Sequence, residues 1–272
     1  MKRLKGKYYK FYYFDETNDD FANNNIAKKP LPEKWNYYSK NPFYVVFKAV
    51  MYYFALFFLT ILIKCFFRTK LKNKKVIKNR ADKKKGFFIF GNHTGWVTDA
   101  TAGHMACFPK QTYILTSADV VNIKGIRWFV KCLGATPVPE GVKNYMTFIK
   151  SVKEMTDDGH PIVIYPEEHI WPRYNKIRDF GTKSFHFPCK LNLPAYAKTT
   201  VFTLNKKGKA RSTIYFDGPF YPDMSLPLKE REQALRDQIY NTMVSRVDKS
   251  ELDTRYEYIK VDSPDKVRTE VF

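Results

Sequence analysis

Phe87-Phe88-Ile89-Phe90-Gly91-Asn92-His93-Thr94-Gly95-Trp96-Val97-Thr98-Asp99 is the stretch whose reading decides the fold. Its first four residues are apolar and mostly aromatic, and Gly91 ends the run. A short apolar run bounded by glycine predicts a buried strand. His93 then lies just past the carboxyl end of that strand, where open α/β sheets place their ligand sites. Thr98, Asp99 and Ala100 can cap and open a helix. A histidine held by a carboxylate is a general base, because the carboxylate fixes the tautomer and stabilises the imidazolium that forms. The competing reading makes Asp99 a helix cap and His93 structural.

Outward from this stretch the pattern alternates. Strands are predicted at Gln111–Leu115, Ala135–Val138 and Pro161–Tyr165. Helices are predicted at Thr98–Phe108, Ile123–Leu133, Lys143–Thr156 and Lys183–Leu191, the second ending at Gly134. Pro194–Leu204 and Arg211–Phe216 read as added edge strands. Leu235, Ile239, Met243 and Val247 fall on one face of a helix over Leu228–Val247. The alternation implies an α/β fold, a mixed and largely parallel sheet flanked by helices.

The segment before this domain is of another kind. Ala49 to Ile63 carries no charge, and Lys48 and Lys64 bracket it. As a helix these residues span roughly 22 Å, short of the ~30 Å hydrocarbon core. A helix in one leaflet or a helical hairpin therefore competes with a span, and a buried core helix is the bland alternative. The absence of a polar stripe favours membrane association. Lys70 to Lys85 follows with nine Lys or Arg and one acid, Asp82. Beside a membrane segment such a cluster reads as an anchor on anionic lipid and puts the C-terminal bulk on the cytoplasmic side. The chain thus divides into a polar aromatic segment (1–42), a membrane-associating helical segment (43–69), a basic linker (70–85) and a catalytic domain (86–272). The acidic run Asp15–Asp20 lacks the glycine and terminal glutamate of a calcium loop and reads as solvated or docking.

The totals agree with a membrane partner. Lys+Arg 47 against Asp+Glu 27 gives a formal charge of +20, which favours an anionic partner. Aromatics reach 17%, with 23 Phe and 19 Tyr, a density better suited to a membrane interface than to nucleic acid. Cys65, Cys107, Cys132 and Cys189 form no CxxC pair and read as free thiols. His104, His160, His169 and His186 share no metal-ligand spacing, so neither metal nor resident cofactor is expected. There is no GxSxG elbow, no glycine-rich phosphate loop and no HExxH.

A second loop matches the first in position. Tyr165 ends a predicted strand, and Pro166-Glu167-Glu168-His169-Ile170-Trp171-Pro172-Arg173-Tyr174-Asn175-Lys176-Ile177-Arg178 follows. Arg173, Lys176 and Arg178 are candidates to hold a phosphate or the anionic part of a donor. A surface loop with ordinary salt bridges is the alternative.

Four ordered blocks now carry a resemblance. Asn92-His93 with Asp99, then Gly134-Ala135-Thr136-Pro137-Val138, Ile164-Tyr165-Pro166-Glu167, and Asn192-Leu193-Pro194 resemble the motifs of the 1-acylglycerol-3-phosphate acyltransferase superfamily. The resemblance covers about 86–216. It implies a membrane-bound enzyme that moves a fatty acyl group from acyl-CoA or acyl carrier protein to a lipid hydroxyl. In it His93 is the base and Asp99 its orienting partner. Glu167 belongs to the acceptor pocket, and Asn92, Gly134, Pro166 and Pro194 support the motifs. A lysophospholipid or glycerol-phosphate is the implied acceptor. Three departures stand out. Five residues, not the usual four, separate His93 from Asp99. One extra residue turns a helix by ~100°, which Gly95 is expected to absorb. Glu140 stands where the family usually has an arginine, and Glu168-His169-Ile170 replaces Gly-Thr-Arg. An acceptor without phosphate, such as a glycan, is the alternative within this chemistry. A non-catalytic basic protein that binds membrane or nucleic acid is the alternative outside it.

Overall fold

The computed structural model describes residues 7–22, 31–32, 34–122, 125, 127–139, 141, 144–205, 208–248 and 252–272. In chain order its strands and helices are β1 (Tyr9–Tyr13), α1 (Pro42–Ile61), β2 (Lys70–Lys72), α2 (Lys75–Lys78), β3 (Phe88–Gly91), α3 (Trp96–Cys107), β4 (Tyr113–Thr116), α4 (Arg127–Cys132), β5 (Ala135–Pro137), α5 (Tyr145–Asp157), β6 (Ile162–Ile164), α6 (His186–Leu191), β7 (Ala195–Leu204), β8 (Ala210–Phe220), α7 (Leu228–Asp248), β9 (Tyr256–Lys260) and β10 (Arg268–Val271). Glu140 and Lys143, and the first residues of the helix expected from Ile123, lie outside the described residues.

A seven-stranded sheet runs in the order β2-β8-β7-β3-β6-β4-β5. Every neighbouring pair is parallel except β7 with β8. Both faces are covered, so the central strands are apolar throughout rather than alternating. Phe88, Phe90, Ile162 and Ile164 pack under α5 and α7, with Phe148, Leu235, Ile239 and Met243. Phe87, Ile89, Val163 and Tyr196 pack under Ala102 and Ala106 of α3. Gly134 precedes β5 at φ +94°, and a Cβ there would sit 2.3 Å from the Thr112 carbonyl oxygen. The position therefore requires glycine.

Three local expectations are corrected. Pro194–Leu204 is no edge: β7 lies between β3 and β8, and the Phe88 amide donates to the Pro194 carbonyl at 3.0 Å to start that pairing. Arg211–Phe216 is no edge either, since β8 lies between β7 and β2; the edges are β5 and β2, and the exposed lysines of β2, from the basic stretch, suit an unpaired strand margin. Helix α3 begins at Trp96, two residues early, and places Asp99 inside its first turn. The C-terminal strands, unanticipated, join β1 in a second sheet of order β10-β1-β9.

Helix α1 continues through a π-helical turn at Leu62–Phe66, giving a 25-residue apolar helix from Pro42 to Phe66. That is ~37 Å, longer than the uncharged core alone suggested. Lys48 does not end it. Its ammonium turns inward and donates to the Tyr113 hydroxyl at 2.5 Å. Tyr52 meets His104 Nδ1 of α3 at 3.1 Å. The opposite face exposes Phe43, Phe47, Phe54, Phe57 and Phe58, so the helix is not buried in the core.

Candidate active site

Sheet register brings the ends of β3 and β6 beside the interior of β7. Phe90 pairs with Ile164 of β6, and Gly91 pairs with Lys198 of β7. The chain leaving β3 at Asn92 and His93 thus lies beside Tyr165, Glu167 and Lys198. Asn92 is buried and holds the exit in place. Its side chain donates to the Thr200 carbonyl at 2.9 Å and accepts from the Thr200 amide at 2.8 Å.

His93 Nδ1 donates to Asp99 Oδ2 at 3.0 Å. The same oxygen accepts from the Thr94 and Gly95 amides at 2.9 and 3.0 Å. Asp99 therefore folds the loop back on itself, which is how five intervening residues are accommodated. Gly95 takes part through its missing Cβ rather than its φ. Its backbone is extended, and a Cβ there would meet Thr98 Oγ1 at 2.4 Å. Burial pushes the Asp99 carboxyl up. The Lys198 charge and the His93 contact outweigh that push and hold it below the usual carboxylate range. With Nδ1 engaged, Nε2 is the ring nitrogen left to accept a proton.

The second loop closes beneath. The Trp171 amide donates to the His93 carbonyl and the Arg173 amide to the Thr94 carbonyl, both at 3.0 Å. Glu167 is buried. Its Oε2 accepts from the His93 amide at 2.9 Å and from Arg178 Nη2 at 3.3 Å, and its Oε1 accepts from the Arg178 amide at 3.1 Å. Burial pushes the Glu167 carboxyl up, and the Arg178 charge pulls back without overcoming it. Glu167 and Arg178 thus face each other inside the protein. Arg178 also donates to the carbonyls of His169 and Glu16. Lys176 is exposed, and Pro166 is buried between Tyr165 and Glu167.

A cleft of about 200 Å³ opens beside this loop, lined by Thr94 to Thr98, Phe67, Ile170, Pro172, Arg173, Phe202 and Tyr256. The N-terminus of α3 faces it. Among the described residues no side chain caps that terminus, so the first amides of the helix are available to an anion or a developing oxyanion. Arg173 is placed at the cleft with φ +53°, and its guanidinium lies over the rings of Tyr256 (4.8 Å) and Phe202 (5.5 Å), 3.5 Å from Asp253.

Sequence reasoning missed two groups. Lys198 is fully buried, with Nζ 2.7 Å from Asp99 Oδ1 and 3.1 Å from the Tyr165 hydroxyl. The Tyr165 ring stacks on His93 at 4.5 Å, and its hydroxyl donates to the Asp99 carbonyl at 2.6 Å. The available signal was a lone lysine inside an otherwise uncharged run, Leu191 to Leu204. Among the described residues no three His, Cys, Asp or Glu side chains gather to hold a metal ion.

Fold and site together define a class, a doubly covered α/β sheet with a histidine–carboxylate pair at its carboxyl edge beside an apolar cleft. The sequence profile of the Acyltransferase family matches residues 42–222, well over half of the chain, and the chain belongs to that family. It is an acyltransferase. No curated protein matches it. Among solved structures it is similar to the 1-acyl-sn-glycerophosphate (LPA) acyltransferase PlsC from Thermotoga maritima, with a TM-score of 0.52 and 14% identity, covering 77% of this chain and 89% of that one. At that identity the likeness speaks for the fold.

Proposed function

We propose that this acyltransferase moves a fatty acyl group from the thioester of acyl-CoA or acyl carrier protein to a hydroxyl of a lysophospholipid or glycerol-phosphate, at a membrane surface. The observation that carries the reading is the 3.0 Å His93–Asp99 contact beside the N-terminus of α3. His93 Nε2 takes the proton of the acceptor hydroxyl, and the oxygen attacks the thioester carbonyl. The carbon–sulfur bond breaks, and the departing thiolate takes the proton back from the imidazolium. The open amides of α3 stabilise the oxyanion. Glu167 acts through the main chain of His93 and through Arg178, and Arg173 is the cation that meets an acceptor phosphate. Helix α1, with its apolar outer face, and the lysines of 70–85 bring the site to anionic lipid, with the catalytic domain on the cytoplasmic side. The acyl donor and acceptor are substrates, and no cofactor enters the reaction.

The test is thiol release from long-chain acyl-CoA by the purified full-length chain, with and without lysophosphatidic acid and with a neutral acceptor. Release stimulated by the lysolipid supports the reading, and release indifferent to any acceptor overturns it. Arg173→Ala should raise KM for the phosphorylated acceptor more than it lowers kcat, and should leave a neutral acceptor nearly untouched. Equal effects on both acceptors would favour the glycan-type alternative.

A further inference from the structure

The sequence motifs account for His93 and Asp99 and leave Lys198 without a task. Its ammonium is fully buried on the α3 side of the sheet, and an unpaired charge there would be costly. It meets the one Asp99 oxygen that His93 does not use. Tyr165 fixes it from the other side while stacking on the imidazole. Four groups from four parts of the fold thus form one closed unit: His93 from the loop after β3, Asp99 from α3, Tyr165 from the end of β6 and Lys198 from β7.

We infer that Lys198 is a positioning residue of the acyl-transfer dyad, locking Asp99 in the orientation that His93 needs across the longer loop and compensating the carboxylate's charge. The inference rests on the acyl-transfer reading above. Two consequences follow from the geometry. Asp99 Oδ2 is shared by three donors, so the carboxylate must be held from its far oxygen if the His93 contact is to keep its direction. Lys198 also balances the charge of the buried carboxylate, which would otherwise stand against the imidazole alone. The charged and titratable groups around His93 are Asp99 on α3, Tyr165 at the end of β6, Lys198 on β7, and Glu167 with Arg178 in the loop beneath.

The test compares Lys198→Met with the wild type. Misplacing a reacting group costs on the order of 10²-fold, and kcat should fall toward that figure with KM for the acyl donor little changed. The acid limb of the kcat/KM profile should move to higher pH, because the uncompensated carboxylate now favours the imidazolium. A merely structural lysine would lower the amount of folded enzyme and leave that limb in place. Tyr165→Phe keeps the ring and removes the hydroxyl. It should give the same changes in smaller measure, and it decides the matter if Lys198→Met does not fold. The titration of the His93 imidazole by NMR should move upward in the same variants and does not depend on turnover. A folded Lys198→Met chain with unchanged rate, pH profile and imidazole titration overturns the inference, as does an unchanged Tyr165→Phe chain where the first variant fails to fold. Absence of thiol release from the wild type would instead sink the proposed reaction, and the NMR titration would still judge Lys198.

Discussion

His93 is held by four contacts that do different work. Its carbonyl accepts from Trp171, its amide donates to Glu167, its ring stacks on Tyr165, and Nδ1 donates to Asp99. Only the last two concern the imidazole. His93→Ala therefore removes the proposed base and leaves the main-chain anchors in place. Acyl transfer should fall by ~10²–10⁴-fold, the usual loss for a general base, with the denaturation midpoint little changed. Near-normal turnover in a folded variant would remove His93 from the mechanism. At this scale legibility followed sequence distance. His93 and Asp99 stand in one stretch and could be paired from spacing alone. Tyr165 and Lys198 reach Asp99 from 66 and 99 residues away, and their meeting depends on strand order, which no local pattern encodes. Glu167 was legible as a strand-end carboxylate, but its burial against Arg178 was not, since both looked like surface-loop charges.

Among the elements, α1 is the one whose two faces ask for different surroundings. Lys48, Tyr52, Ala55 and Leu56 are turned to the domain, while Phe54, Phe57 and Phe58 each expose more than half of their surface. The sequence showed an apolar stretch flanked by lysines but not which flank turns inward. Lys48 looked like a terminus because its hydroxyl partner, Tyr113, belongs to a strand 65 residues on. Replacing Phe54, Phe57 and Phe58 by serine tests the outer face without disturbing the docked one. Burying a phenylalanine side chain contributes about 1.5–3 kcal/mol, so losing even part of three should weaken binding to anionic vesicles by at least about tenfold. The measurement is co-sedimentation with vesicles at low and high salt. The wild type should stay bound at high salt, where basic residues alone would release it. Equal binding by the triple variant would assign the attachment to the basic stretch instead. Removing residues 1–67 is a poorer test, because it also removes β1 and with it the middle strand of the second sheet.

Over the whole molecule, that second sheet joins the two ends of the chain and closes on the loop that carries Glu167, Arg173 and Arg178. No local pattern announces it: β1 and β9 are far apart, and each is a short aromatic run like others in the chain. The contact is made chiefly by Trp171, which is fully buried. Its ring lies parallel to that of Tyr258 at 5.0 Å, edge-on to Phe21 at 5.5 Å, and under the Arg178 guanidinium at 4.9 Å. Its indole N–H donates to the Asp19 carbonyl at 2.8 Å, so the acidic N-terminal run docks here. One residue therefore joins the terminal sheet to the main chain of His93, to which its own amide donates. Trp171→Ala should cost about 3–5 kcal/mol of stability, read as a lowered denaturation midpoint, by loss of packing and creation of a cavity. Activity should fall as well, although Trp171 performs no step of the proposed reaction, because the loop under His93 loses its support. Tyr258→Ala should act in the same direction from the other side of the contact. If the terminal sheet supports the site through this stack, the double variant should lose less than the sum of the two singles, by about 0.5–3 kcal/mol in stability. Strict additivity, or a Trp171→Ala enzyme of undiminished activity, would mean that the terminal sheet and the catalytic loop merely touch.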